Sequence, residues 1–207
     1  MSDKKHTIIV AALQLFIQKG IHCVGINEVI KEAKVAKKTL YHYFPSKEAL
    51  TIATLEYRDA IFMSWMRNSM QQAKSAEESL EALFWGLNDW FNNKAVALGN
   101  FHGCFFINAA AEYKEQSSAI NQCCHQHKIN VKNLVALYVE KFETDPQKAL
   151  FITDSICILK EGAITSALVQ HDLTAALKVI PLIKLLLTQR LPSVGAAREC
   201  ETRIKEK

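Results

Sequence analysis

Lys37, Lys38, Tyr41 and His42 share one side of a helix if residues 36–44 are helical, because steps of one, four and five residues stay within one arc of a 3.6-residue period. Two ammonium groups, a phenol and an imidazole projecting together are donors suited to phosphate oxygens and base edges. The opposite side carries Ala36, Leu40, Tyr43 and Phe44, which suit packing. A shorter apolar segment with Ile26, Val29, Ile30 and Ala33 at i, i+3, i+4 and i+7 precedes it, across the three-residue turn Lys34-Val35-Ala36. Two short helices joined by a tight turn, the second one cationic, make a helix-turn-helix arrangement. A solvated amphipathic helix on any all-α protein has the same local pattern.

Charge distribution favours the polyanion reading. The formal net charge is only +4, yet residues 31–47 hold Lys31, Lys34, Lys37, Lys38 and Lys47 against the single acid Glu32. That segment therefore carries +4 by itself and the rest of the chain is balanced. A small basic patch on an otherwise neutral protein suits a local contact with nucleic acid.

The elements that would position this patch read as helices throughout. Seven glycines and four prolines in 207 residues leave few breaks, and no alternating strand pattern of useful length occurs. A first helix is expected over residues 3–19, with Ile9, Leu13, Phe16 and Ile17 on its apolar stripe and Gly20 as its stop. Pro45 ends the cationic helix, and Ser46 caps a long helix over 47–72. Ser75 and Glu78 have the spacing of a capping box for a fifth helix, which Asn92-Asn93 closes. Further helices are expected over 105–113 and 118–142. Asp145-Pro146 opens an eighth that reaches residue 170. Asp172 caps a ninth that runs to Leu191, with a kink expected at Pro181. Residues 192–207 read as a polar tail.

The run Thr39-Leu40-Tyr41-His42-Tyr43-Phe44-Pro45-Ser46-Lys47-Glu48-Ala49-Leu50, with Gly25-Ile26-Asn27-Glu28-Val29-Ile30 ahead of it, resembles the DNA-binding domain of the TetR/AcrR family of transcriptional regulators. Gly103 to Tyr113 and Glu161-Gly162-Ala163 resemble one subgroup of that family, so the likeness spans about residues 4–191. It implies an all-α fold of about nine helices. A three-helix helix-turn-helix domain over 1–46 would precede a larger helical ligand-binding and dimerisation domain over 47–191. It implies that Thr39 and Tyr41 contact backbone phosphate. Lys37, Lys38 and His42 would face the major groove, Lys47 would hold a phosphate beside a helix N-terminus, and Asn27 would add a phosphate contact. The implied partners are a palindromic double-stranded DNA operator, a second copy of the chain and a small-molecule effector.

Three positions depart from the family pattern. Gly25 replaces the hydroxyl residue that usually caps the second helix. Lys34 stands where glycine is usual in the turn, and a left-handed backbone there would cost roughly 1 kcal/mol. Lys38 replaces a small residue. The second and third changes add cations, so a large non-specific electrostatic contribution to binding is expected.

For the sensing domain, the aromatic groups Trp65, Phe84, Trp85, Trp90, Phe91, Phe105 and Phe106 fall at helical spacings that make most of them core. The resemblance implies a ligand pocket among them, for which Trp65, Phe84, Trp90, Phe105 and Cys104 are the candidates. Cys104 follows Gly103 at a helix start, a place where a thiolate can be stabilised, so a thiol-reactive effector is an alternative to a reversible ligand. Helices eight and nine should form the dimer interface, through Ile152, Ile156, Leu159, Ala163 and Ala167 with Gly162, and through Leu177, Ile180, Ile183, Lys184 and Leu187.

Other chemistry is thinly represented. Cys123, Cys124 and His127 lie within one helical turn, but no second ligand cluster is obvious unless His102 and Cys104 approach, so no metal and no cofactor are expected. The six cysteines have no regular spacing, and reduced thiols are expected. No nucleophile elbow, phosphate loop or zinc-protease helix occurs, and nothing pairs Glu112 or Glu161, so no enzyme is expected. No apolar stretch of membrane-spanning length or signal peptide is present, and a cytoplasmic location is expected. The competing reading is a helical ligand-binding or adaptor protein that does not read DNA.

Overall fold

The structure is a computed structural model, and it describes residues 3–188. The expected tail over 192–207, the last turn of the ninth helix to Leu191 and Cys200 lie outside the described residues. Among the described residues there are nine α-helices, one short 3-10 turn and no strand. The helices are α1 (Asp3–Lys19), α2 (Ile26–Ala33), α3 (Lys37–Tyr43), α4 (Lys47–Gln71), α5 (Ala76–Phe91), α6 (Phe105–Glu112), α7 (Ala119–Val139), α8 (Pro146–Val169) and α9 (Ala175–Thr188).

The local signals act where the sequence places them. Gly20 takes φ +85° and its N–H reaches the carbonyl of Phe16, closing α1. The Ser75 hydroxyl accepts from the Glu78 N–H, while the Glu78 carboxylate accepts from Lys74, one residue before the position a strict capping box uses. Asp145 accepts from the N–H groups of Gln147 and Lys148, and Pro146 occupies the first turn of α8. Asp172 does not cap α9 directly. Its carboxylate accepts from the N–H and hydroxyl of Thr174, and the helix begins one residue later. The expected seventh helix is shorter at its end, because residues 140–142 form a turn. The 3-10 turn Val96–Leu98 was not foreseen.

The chain forms two compact units. The first contains residues 3–66 and 93–130, the second 67–92 and 131–188. In the first, α1 packs on α2 and α3, and Ile8, Ala12, Ile21, Val24, Val29 and Leu40 are fully buried. In the second, α5 packs on α8 and α9, burying Leu80, Leu83, Phe84, Leu87, Ile156, Ala176 and Ile183. Each fully buried Val, Leu, Ile or Phe side chain among them contributes about 1.5–3 kcal/mol by leaving water.

One expectation about α8 and α9 is reversed. Ile152, Ile156, Ala163 and Ala167 of α8, with Ile180 and Ile183 of α9, are buried inside this single protomer. The large apolar groups left in solvent are Leu150, Phe151, Ile158, Leu168 and Val169 on α8 and Leu182 and Leu185 on α9. Both helices are apolar on more than one side. A helical period therefore identifies the sides without saying which one the chain's own core takes.

Candidate nucleic-acid interface

The cationic helix is built as a scaffold with one committed side. Leu40 and Phe44 of α3 are buried and Tyr43 is half-buried, so they fix the helix against the head. Lys37, Lys38, Tyr41 and His42 are exposed, and Thr39 is half-buried in the first turn. The Lys37 ammonium lies 6.0 Å from the centre of the Tyr41 ring, and His42 meets Tyr43 edge-on at 5.0 Å. Neither Lys37 nor Lys38 has an ion-pair partner among the described residues. Asn27 is exposed on α2. Lys47 is half-buried, and its Nζ lies 3.4 Å from the His22 carbonyl in the α1–α2 turn.

The turn between α2 and α3 has the geometry that the departure at position 34 made doubtful. Lys34 takes φ 52°, ψ 44°, the left-handed conformation. The Val35 N–H bonds the Ile30 carbonyl and the Lys34 N–H bonds the Lys31 carbonyl, the pair of bonds of a Schellman stop. A lysine here therefore carries the roughly 1 kcal/mol left-handed strain that glycine would not. Gly25 is the N-cap of α2 and has no side chain to satisfy the first N–H groups, as its position implies. Ala36 precedes α3 in the same role, so Lys37, not Ala36, is its first helical residue.

Glu112 organises this head from a distance, and the sequence reading left it unpaired. One carboxylate oxygen accepts from the Ile21 N–H at 2.8 Å and the other from the His22 N–H at 2.6 Å. The His22 ring nitrogen Nδ1 is 3.4 Å from the second oxygen. A Cβ on Gly20 would meet the Glu112 carboxylate at 3.3 Å, so the turn needs glycine for space as well as for its positive φ. The Tyr113 ring lies tilted against His22 with centres 4.7 Å apart, and burial, followed by the charges of Glu112 and Glu48, pushes its phenol pKa up. Glu161 is paired as well, with the buried ammonium of Lys160 at 2.5 Å.

The candidate sensing residues divide between the units. Trp65, Cys104 and Phe105 belong to the first and Phe84 and Trp90 to the second. Phe84 and Trp90 are core side chains, while Trp65 is half-buried against the Phe62 ring at 5.2 Å. Trp85, one of the aromatic groups read with them, is 54% exposed. Cys104 is the buried N-cap of α6, and the Lys128 ammonium is 3.6 Å from its sulfur. Cys124 is buried too, and its thiol pKa is pushed up to about 11, first by burial and then by the neighbouring Cys123 and Cys104. Cys23, Cys104, Cys123, Cys124 and Cys157 are all free thiols. His127 is committed elsewhere. Its Nδ1 lies 2.6 Å from the Asp59 carboxylate, and its ring stacks on Phe106 at 3.5 Å. Among the described residues no group of three His, Cys, Asp or Glu is placed to hold a metal ion.

A packed three-helix head with an exposed cationic third helix has the arrangement of a helix-turn-helix. The sequence pattern described as bacterial regulatory proteins, tetR family, matches residues 8–54, which contain α2, α3 and the left-handed turn. The likeness to that family by sequence pattern is carried by these residues of the head. It is 47% identical over 57 residues to the uncharacterized HTH-type transcriptional regulator YuxN of Bacillus subtilis, spanning 28% of this chain but only 20% of that protein's length. It is 26% identical over 141 residues to the HTH-type transcriptional repressor NemR of Escherichia coli, 68% of each chain. The reduced form of E. coli NemR superimposes with a TM-score of 0.74 at 21% identity, covering 89% of this chain and 97% of that one. SCO4454, a TetR-family transcriptional regulator of Streptomyces coelicolor, superimposes with a TM-score of 0.79 at 21% identity, covering 90% and 95%. These two likenesses extend the shared fold well beyond the head.

Proposed function

We propose that this protein is a sequence-specific, DNA-binding transcriptional repressor that a small-molecule or thiol-reactive effector releases from a palindromic operator. The observation that carries this reading is the exposed row Lys37, Lys38, Tyr41 and His42 on a helix whose other side is fixed in the head by Leu40 and Phe44. Lys37, Lys38 and His42 reach into the major groove. Thr39, Tyr41, Lys47 and Asn27 hold phosphates and set the register. Residues 1–46 act as the reading head and residues 47–191 as the sensing and dimerising part. Catalysis has no role in this function.

Two copies are needed, because one seven-residue helix reads only a half-site. The pairing surface we assign is the outer side of α8 and α9. Ile158 and Val169 are 71% and 68% exposed there, with Phe151, Leu182 and Leu185 beside them. Gly162 lies on the same side of α8, and a Cβ added to it would meet nothing within 4 Å inside the protomer. A glycine that the protomer does not need for space suits close approach by a partner helix.

Signal transfer uses α6 as a short rod. Its first turn starts at Cys104 and its last residue is Glu112, so eight residues, roughly 12 Å of helix, separate the buried thiol from the carboxylate that holds the α1–α2 turn. An effector bound beside Cys104, or a modification of its thiol, shifts this rod. The spacing of the two reading helices is then lost. Such an effector must prefer the released state, since equal affinity for both states shifts nothing.

The test is a fluorescence-anisotropy titration of the full chain against duplexes from upstream of its own coding sequence, at several salt concentrations. Binding that weakens linearly on a log–log salt plot is expected, with Lys38→Ala reducing the slope by about 0.9. Indifference to every duplex at low ionic strength overturns the repressor reading. The helical adaptor without DNA binding would then take its place.

A further inference from the structure

The second unit contains a cavity that the signalling mechanism above does not use. Its volume is about 550 Å³, within the range of small-molecule sites. It lies between the end of α7, the connection over residues 140–145 and the start of α8, and none of Trp65, Phe84, Trp90, Cys104 or Phe105 lines it. Ala136, Pro146, Ala149 and Leu150 supply its apolar wall. Leu150 is 53% exposed, so a guest with an apolar body would take part of that side chain out of water.

Thr153 gives the cavity a polar floor. The residue is 2% exposed, and its hydroxyl makes no hydrogen bond among the described residues. A helical threonine commonly bonds the carbonyl four positions back, as Thr51 does to Lys47. The Thr153 hydroxyl is not sealed off either, and the surface it keeps opens into the cavity that the residue lines. A buried hydroxyl without a partner is costly, so a ligand group that bonds it is favoured.

The charge around this floor is acidic. Glu140 and Glu143 both line the cavity. One oxygen of Glu143 accepts from the Asp145 N–H at 2.9 Å, and neither carboxylate has a cationic partner among the described residues. Lys132 lines the cavity as well, but its ammonium is already matched, 2.5 Å from the carboxylate of Asp154, which does not line it.

We propose that this cavity is a binding site for a small organic cation, a protonated amine directed to Glu140, Glu143 and the Thr153 hydroxyl, with an apolar body lying on Ala136, Ala149 and Leu150. An ammonium has three N–H donors and no acceptor, which suits two carboxylates and one hydroxyl oxygen. An alcohol of the same shape fills the apolar part but leaves the carboxylates unmatched, and an organic acid meets two like charges. Thr153 lies about 200° round α8 from Phe151, so a guest leaves the side of α8 assigned to pairing uncovered.

The experiment is calorimetric titration of the full chain with hexylamine, benzylamine and phenethylamine, each beside the alcohol of the same carbon skeleton. At least one amine is expected to bind once per protomer, about fivefold or more tighter than its alcohol. Amide chemical-shift changes on binding should cluster in residues 132–153. Glu140→Gln combined with Glu143→Gln should remove the preference for the amine, with helicity retained, since neither side chain is part of the buried core. Thr153→Val keeps the branched shape and removes the hydroxyl. It should weaken binding about threefold or more without lowering the thermal midpoint, because no hydrogen bond within the protomer is lost. The proposal is overturned if no amine binds below about 10 mM. Alcohols binding as tightly as amines, shifts centred outside 132–153, or Thr153→Val leaving binding unchanged overturn it equally.

Discussion

The Glu112 carboxylate accepts a hydrogen bond from the backbone N–H of Ile21, 91 residues earlier in the chain. With the second bond, from His22, it satisfies two donors of a turn that has left α1 and not yet entered α2. Removing the acceptor leaves both N–H groups without it. Glu112→Ala is expected to cost about 1–2 kcal/mol in urea unfolding, because the site is half-buried and water replaces part of the loss. Amide hydrogen exchange at Ile21 and His22 should accelerate while the α2 core amides stay slow. Unchanged exchange at both positions would show that the turn holds its shape without Glu112.

Lys34 occupies a left-handed position with an L side chain. Lys34→Gly is expected to raise stability by up to about 1 kcal/mol, since relief of the strain exceeds the extra chain entropy of glycine. Denaturant unfolding measures this directly. A midpoint that moves down would mean that the lysine side chain stabilises the turn by more than its backbone costs.

Gly162→Leu should separate folding from pairing. A Cβ at 162 meets nothing inside the protomer, and leucine is a far better helix former than glycine, so helicity and the protomer core should be retained. If the outer side of α8 joins two copies, the bulk prevents close approach, and analytical ultracentrifugation should show monomer at concentrations where the unaltered chain is dimeric. A dimer of undiminished strength would place the interface elsewhere.

The thiols should separate by reactivity. Cys23 is exposed, whereas Cys124 is buried with a thiol pKa of about 11. Alkylation proceeds through the thiolate, and a raised pKa means that only roughly one molecule in a thousand is ionised at pH 8 at Cys124. Mass-spectrometric mapping after iodoacetamide treatment should find Cys23 labelled first and Cys124 last. The Cys124 rate should still be rising with pH at pH 10. Early labelling of Cys124 would show that α7 opens readily around it.

Much of the architecture was legible before any coordinates, for reasons that differ by element. Gly20, Ser75 and Asp145 stop or start helices through bonds to residues no more than four positions away, and Pro45 stops one by lacking an N–H, so their neighbours in the chain suffice to interpret them. The division of α3 into a Leu40–Phe44 side and a lysine side follows from helical period alone. The expectation that Asp172 caps α9 directly failed because its carboxylate prefers Thr174, a local competition that a capping rule does not resolve.

By itself the sequence determined the helices, the cationic row on α3, the glycine-free turn at Lys34 and the family resemblance of the head, because each is written in residue types at short spacing. Only the tertiary structure decided that Glu112 holds the α1–α2 turn, that Ile152 and Ile156 face inward while Ile158 and Val169 face water, and that Thr153 lines a cavity with Glu140. Those relations join residues far apart in the chain. A helix apolar on several sides carries no local mark of which side its neighbours will cover. That choice is made when whole elements compete for the same buried surface.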